Sequence, residues 1–168
     1  MPADKHKGGT PATSLLRTRG VEFALHEFPH GNTDRNYGVV AAEALGIGAD
    51  RVFKTLLAKV DGLPAPSVAV GIVPVSGQLS LKELAQVLGG KRAEMCEPAI
   101  AARITGYVVG GISPFGQKKL LPTAIDDSCL GHETIFVSGG KRGLEIEIAP
   151  QDLIEVLGAV VGRIGTAH

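Results

Sequence analysis

The apolar residues of this chain come in short runs broken by glycine, proline and polar turn residues, and the longest run, around Val68–Val73, spans only a few positions. Runs of that length suit buried strands and the faces of short helices, and they fall far short of the roughly 20 apolar residues of a membrane-spanning helix. With 168 residues and 44 % hydrophobic content the chain has material for one core. One domain over residues 10–164 is therefore expected, preceded by a flexible tail over 1–9. That tail holds Lys, His and Gly without the apolar centre of a secretory signal, so the expected setting is the cytoplasm, away from membranes. Cys96 and Cys129 are not spaced as a CxxC pair and are expected as reduced thiols.

Thr10 before Pro11 starts a helix that ends near Gly20. Val21–Phe28 reads as a strand, the turn-rich stretch Pro29–Asn36 opens a second helix to about Leu45, and Gly46 stops it. Val52–Val60 is expected as a strand carrying Lys54, residues 61–66 as a turn, and Ser67–Val73 as a buried strand. Ser80 and Glu83 have the spacing of a capping box, and their helix should stop at Gly89-Gly90. Further on, Lys91–Met95 suggests a short strand, Glu97-Pro98 a helix to about Ile104, and 106–114 a small strand passing into a glycine-rich turn. Ile125–Asp127, Thr134–Ser138 and Leu144–Ile148 read as strands before a last helix from Pro150. Helices interspersed with closely spaced strands predict an α+β domain with a mixed, strongly curved sheet and helices outside it.

Lys plus Arg equals Asp plus Glu at 17 each, so any grip on nucleic acid must be local or assisted. The absence of Trp and the 4 % aromatic content argue against an extended base-stacking platform. His6, His26, His30, His132 and His168 have no metal-site spacing, and neither HExxH nor GxSxG occurs, so no metal, cofactor or nucleophile of the protein's own is expected. Two glycine-rich turns remain, Gly110-Gly111-Ile112-Ser113-Pro114 and Ser138-Gly139-Gly140-Lys141-Arg142-Gly143. Glycine lets backbone amides approach an anionic ligand, although a glycine pair more often marks a hairpin turn. Lys54 lies in an otherwise apolar segment, where its ammonium must reach a cavity or a partner, or snorkel to solvent.

Taken in order, Thr10-Pro11-Ala12, Phe53-Lys54-Thr55-Leu56-Leu57, Gly77-Gln78-Leu79, Gly106-Tyr107, the block from Gly110 to Lys119, and Val137–Leu144 resemble the YbaK family. These are free-standing relatives of the editing domain inserted in bacterial prolyl-tRNA synthetases. The resemblance covers nearly the whole chain and implies a barrel-like sheet flanked by helices. It also implies hydrolysis of the ester of a wrongly charged tRNA, chiefly Cys-tRNA(Pro), with prolyl-tRNA synthetase as partner and no cofactor. By position, Lys54 matches the family's essential lysine, and Gly110, Ser138 and Gly140 match other catalytic positions. Phe28, Tyr37, Gly111, Ser113, Gly139 and Glu145 are implied to contact substrate. Phe28 stands where relatives have tyrosine, Tyr37 where they have phenylalanine, and Glu145 where they have aspartate. The family's chemistry uses the thiol of the substrate cysteine against its own ester, which accounts for the missing nucleophile. Lys118, Lys119, Lys141 and Arg142 adjoin the site loops and are expected to touch the acceptor stem. A deacylase for Ala-tRNA or another small amino acid, and a non-catalytic synthetase-associated binding module, are the alternatives.

Overall fold

The computed structural model describes residues 9–29 and 37–166. The tail expected at 1–9, apart from Gly9, and the turn expected at Pro29–Asn36, apart from Pro29, lie outside the described residues. Helix α1, Pro11–Thr18, begins with reciprocal caps: Thr10 Oγ1 accepts from Thr13 N at 3.2 Å and Thr13 Oγ1 from Thr10 N at 3.1 Å. Proline at its first position gives up no bond the helix would have made. Strand β1, Ala24–Glu27, is shorter than expected because Val21 N turns back to Leu16 O at 3.0 Å, and pairing with β8 begins only at Ala24.

Helix α2, Tyr37–Leu45, leads into the hairpin of β2, Phe53–Asp61, and β3, Val68–Pro74, which pairs Lys54 with Val73. β3 is buried along its whole length, as a continuous apolar run in a central strand should be. The short β4, Gln78–Leu79, precedes α3, Leu81–Val87, where Ser80 Oγ accepts from Glu83 N at 3.3 Å. The other arm of the expected box has no donor left, because Ser80 N is given to Ile164 O at 2.7 Å. β5, Arg92–Met95, and α4, Pro98–Thr105, follow, and Gly106 at φ 86° ends α4. The small strand expected at 106–114 is replaced by irregular chain with a turn from Gly111 N to Val108 O.

The remaining elements are β6, Thr123–Asp126, a 3-10 turn over Asp127–Gly131, β7, Ile135–Ser138, β8, Leu144–Ile148, α5, Pro150–Leu157, β9, Val160–Gly162, and β10, Gly165–Thr166. β9 and β10 were not foreseen, and β10 lies past the expected domain end at 164. They are pinned by the fully buried Asp126, whose Oδ1 accepts from Ile164 N at 3.0 Å and Gly165 N at 2.7 Å. Its Oδ2 accepts from the Ser128 amide and hydroxyl, at 3.3 and 2.6 Å.

The strands form a mixed sheet in the order β5-β2-β3-β6-β9, an antiparallel sheet β1-β8-β7, and the pair β4-β10. A mixed α+β domain is as expected, but the barrel-like closure is not seen. Among the described residues no sheet closes, and the two larger ones meet through a single parallel bridge, Val52–Phe136. Phe53, Ile72, Phe115, Ile125, Ile146 and Leu153 fill the main core between them.

Candidate active site

The divergence of those sheets makes the site. On one edge of β2, β7 meets Val52 while β5 begins to pair only at Ala58, with Cys96 N reaching Leu57 O at 3.0 Å. Between these points no strand ladder covers that edge among the described residues, and a cavity of about 370 Å³ opens there, lined by residues 53–57. The split therefore exposes the segment that carries Lys54.

Six of the expected positions line this cavity: Phe28, Tyr37, Lys54, Gly110, Ser138 and Glu145. Lys54 is half-buried, and desolvation holds its ammonium below the usual lysine range. It makes no hydrogen bond or ion pair with a described residue. Glu145 is 7 % exposed, and burial pushes its carboxyl up from 4.5 to about 8. At neutral pH that carboxyl is largely protonated and able to donate a hydrogen bond. Ser138 Oγ accepts from Gly140 N at 3.2 Å, which shapes the turn. Gly110 has φ 90°, and a Cβ there would lie 2.4 Å from the Tyr37 ring, so glycine permits both the backbone conformation and the close approach.

The other expected residues stand behind or beside the cavity. A Cβ on Gly111 would meet Lys141 Cα at 2.8 Å, so the two glycine-rich loops touch there. Gly139 packs on Leu144 and its carbonyl accepts from Thr10 Oγ1 at 2.6 Å, while Gly140 backs onto Tyr107 and Thr10. Ser113 is fully buried and its Oγ accepts from Phe115 N at 3.2 Å, shaping the loop behind the cavity. Lys118 and Lys119 are exposed and do not line the cavity, and the stem of Lys118 lies over Gly106. Lys141 and Arg142 border a shallow groove with Glu27, Phe28, Pro29 and Gly143. Arg142 is exposed but engaged within the chain: Nε and Nη2 donate to Val109 O at 3.0 and 2.8 Å, and its guanidinium lies 4.7 Å from the Tyr37 ring centroid.

Three features escaped sequence reasoning. Thr55 follows Lys54 in the cavity wall, and its Oγ1 is the one buried side-chain polar atom without a partner among the described residues. The places of the two cysteines were not foreseen: Cys96 lines the cavity, and Cys129 lies in the core, where burial pushes its thiol up to about 11. His26 Nε2 lies 2.9 Å from Glu147, which also bonds Arg51 and Thr134. The Thr134 hydroxyl, ahead of His26 and Arg51, holds Glu147 below its ordinary value. Alternation of charged and apolar residues in β8 was the only available signal for that network.

Among the described residues no group of three or more His, Cys, Asp or Glu could hold a metal ion, and no helix is long and apolar enough to cross a membrane. Residues 38–156 match the Aminoacyl-tRNA editing domain family. The chain belongs to this family. It is 35 % identical over 166 residues to an Enterococcus faecalis protein provisionally named Cys-tRNA(Pro)/Cys-tRNA(Cys) deacylase EbsC, covering 99 % of each chain. It is 31 % identical over 113 residues to the Multifunctional Ser/Thr-tRNA deacylase ProXp-y of Escherichia coli, covering 67 % of this chain and 65 % of that one. The fold superposes with a TM-score of 0.81 on a crystal structure provisionally described as a trans-editing enzyme for prolyl tRNA synthetase. That pair is 22 % identical, and the match covers 96 % of this chain and 98 % of the other.

The editing-domain cavity makes one prediction about pH. Because the Glu145 carboxyl titrates higher in the folded than in the unfolded chain, the folded state holds the extra proton. Its stabilising contribution is complete below 4.5 and is lost as pH rises through about 8. Urea unfolding between about pH 5 and pH 9 should show wild type losing stability relative to Glu145→Gln, whose side chain stays neutral. Parallel pH profiles would contradict a buried, protonated Glu145.

Proposed function

We propose that this chain is a trans-editing deacylase that hydrolyses the ester of Cys-tRNA(Pro) in the cytoplasm. The observation that carries the reading is a cavity that gathers the Lys54 ammonium, which has no partner among the described residues, the buried Glu145 carboxyl and the Gly110 loop, with no histidine among the described residues of its lining. Whole-length similarity to a protein named as a Cys-tRNA deacylase supports the same chemistry. Lys54 would hold the 3′ end of the tRNA or the ester region, and the amides of the Gly110 and Ser138–Gly140 turns would stabilise the developing oxyanion. The substrate thiol would attack its own ester carbon. A carbon–sulfur bond forms, the carbon–oxygen bond to the ribose breaks, and the thiol proton passes to the departing ribose oxygen. Water then opens the released thiolactone to free cysteine.

The enzyme's share is orientation and charge stabilisation, which suits a lining whose one thiol, Cys96, is kept protonated by burial. Equal numbers of acidic and basic residues favour delivery of the tRNA by prolyl-tRNA synthetase over unaided capture. The similarity to a Ser/Thr-tRNA deacylase supports a second reading, in which a hydroxyl-bearing or other small amino acid is removed. Hydrolysis of Cys-tRNA(Pro), Ala-tRNA(Pro), Ser-tRNA and Cys-tRNA(Cys), with and without the synthetase, separates these. Cys-tRNA(Pro) should be hydrolysed fastest, and loss of the thiol should cost about 100-fold or more. Preference for Ser-tRNA would shift the reading to the second, and no hydrolysis of any would leave a binding module.

A further inference from the structure

Three chain segments meet at Arg142: the 138–143 loop that carries it, the irregular chain after α4 through Val109, and the start of α2 through Tyr37. Two donors of one guanidinium on a single carbonyl leave that carbonyl little angular freedom. The Val109 carbonyl and the Gly110 amide belong to one planar trans peptide, so they point in opposite directions. Fixing the carbonyl on Arg142 therefore directs the Gly110 N–H away from Arg142. Gly110 itself lines the cavity, and a Cβ there would lie 3.0 Å from Arg142 Nε as well as against Tyr37. One residue further on, Gly111 touches the backbone of Lys141 and Arg142. The two loops and the aromatic ring thus form one packed unit with the guanidinium between them.

We propose that Arg142 is a positioning residue, a clasp that joins the two glycine-rich loops and Tyr37 and so aims the Gly110 amide across the cavity. It acts through Val109 and Tyr37, and the role expected for it in gripping the acceptor stem falls to its neighbour Lys141. Lysine cannot replace it, since an ammonium offers neither the forked pair of donors nor a flat face for the ring.

The kinetic part of the test rests on the deacylase reading. Arg142→Ala and Arg142→Lys should each lower kcat on Cys-tRNA(Pro) by about 10- to 100-fold, with KM and its salt dependence little changed. In nuclear magnetic resonance spectra of the whole protein without tRNA, both variants should displace the Gly110 amide signal while their thermal melting stays close to wild type. Restoration of kcat by lysine would overturn the clasp and make Arg142 a phosphate contact. So would a loss confined to KM, with the salt slope reduced by about one. An unmoved Gly110 signal in Arg142→Ala would overturn it as well. If wild type hydrolyses no aminoacyl-tRNA, the deacylase reading fails and the amide signal alone decides the clasp.

Discussion

Lys54→Ala should retain the wild-type melting behaviour and lose about 100- to 1,000-fold in kcat on Cys-tRNA(Pro). The stability half of this expectation follows from the environment of the ammonium. Lys54 is half-buried, desolvated and without a hydrogen bond or ion pair to a described residue, so truncation strands no partner and removes a charge the fold does not compensate. The catalytic half follows from its place on a paired strand, opposite Val73, where the exposed edge of β2 faces the cavity. A charge so placed and so poorly solvated acts strongly on a ligand that enters. Lys54→Met, which keeps length without charge, should behave like the alanine variant. Circular dichroism, thermal melts and single-turnover deacylation check the pair, and wild-type turnover by either variant would remove Lys54 from the mechanism.

Asp126→Ala should have the opposite profile, with stability lowered by about 3 kcal/mol and the cavity unaltered. Its carboxylate accepts from two backbone amides of the C-terminal segment and from the Ser128 amide and hydroxyl, all around a fully buried position. Alanine leaves those donors without their acceptor, and hydrogen bonds to a charged group are the stronger kind. Against a typical stability of roughly 5–15 kcal/mol this is a large fraction. Asn can replace one oxygen as an acceptor but turns a donor toward Ser128, so Asp126→Asn should fall between the two. Denaturant midpoints measure the effect, and an unchanged midpoint for the alanine variant would refute the pin.

What the sequence made legible was local. Thr10 and Ser80 announced helix starts because a cap needs only a side chain and the next three residues. The β2–β3 hairpin was legible because both strands carry long apolar runs. β4, β9 and β10, of two or three residues each, carry no periodicity to read, and each depends on a partner far away in the chain: β4 on β10, β9 on β6, and β10 on β4 and Asp126. At the site, the resemblance pointed to Lys54, Gly110, Ser138 and Glu145, which line one cavity. It could not show that Gly139, Gly140 and Ser113 stand behind that cavity, because a glycine spared for packing and one spared for a ligand look alike in sequence. Nor could the pair Lys141-Arg142 reveal that one of its two charges is already engaged by Val109.

The bond from Thr10 to the Gly139 carbonyl carries a lesson about where this domain starts and stops. The recognisable family segment spans 38–156, yet Thr10, Phe28 and Tyr37 precede it, and Ile164 and Gly165, which hold Asp126, follow it. Both flanks fold back onto the segment, one bracing a site loop and the other adding the edge strand β9 and the partner of β4. Grafting only the recognisable segment into a synthetase would therefore transplant a pocket without two of its walls and without its brace. The portable unit of editing is the longer one, with both flanks attached.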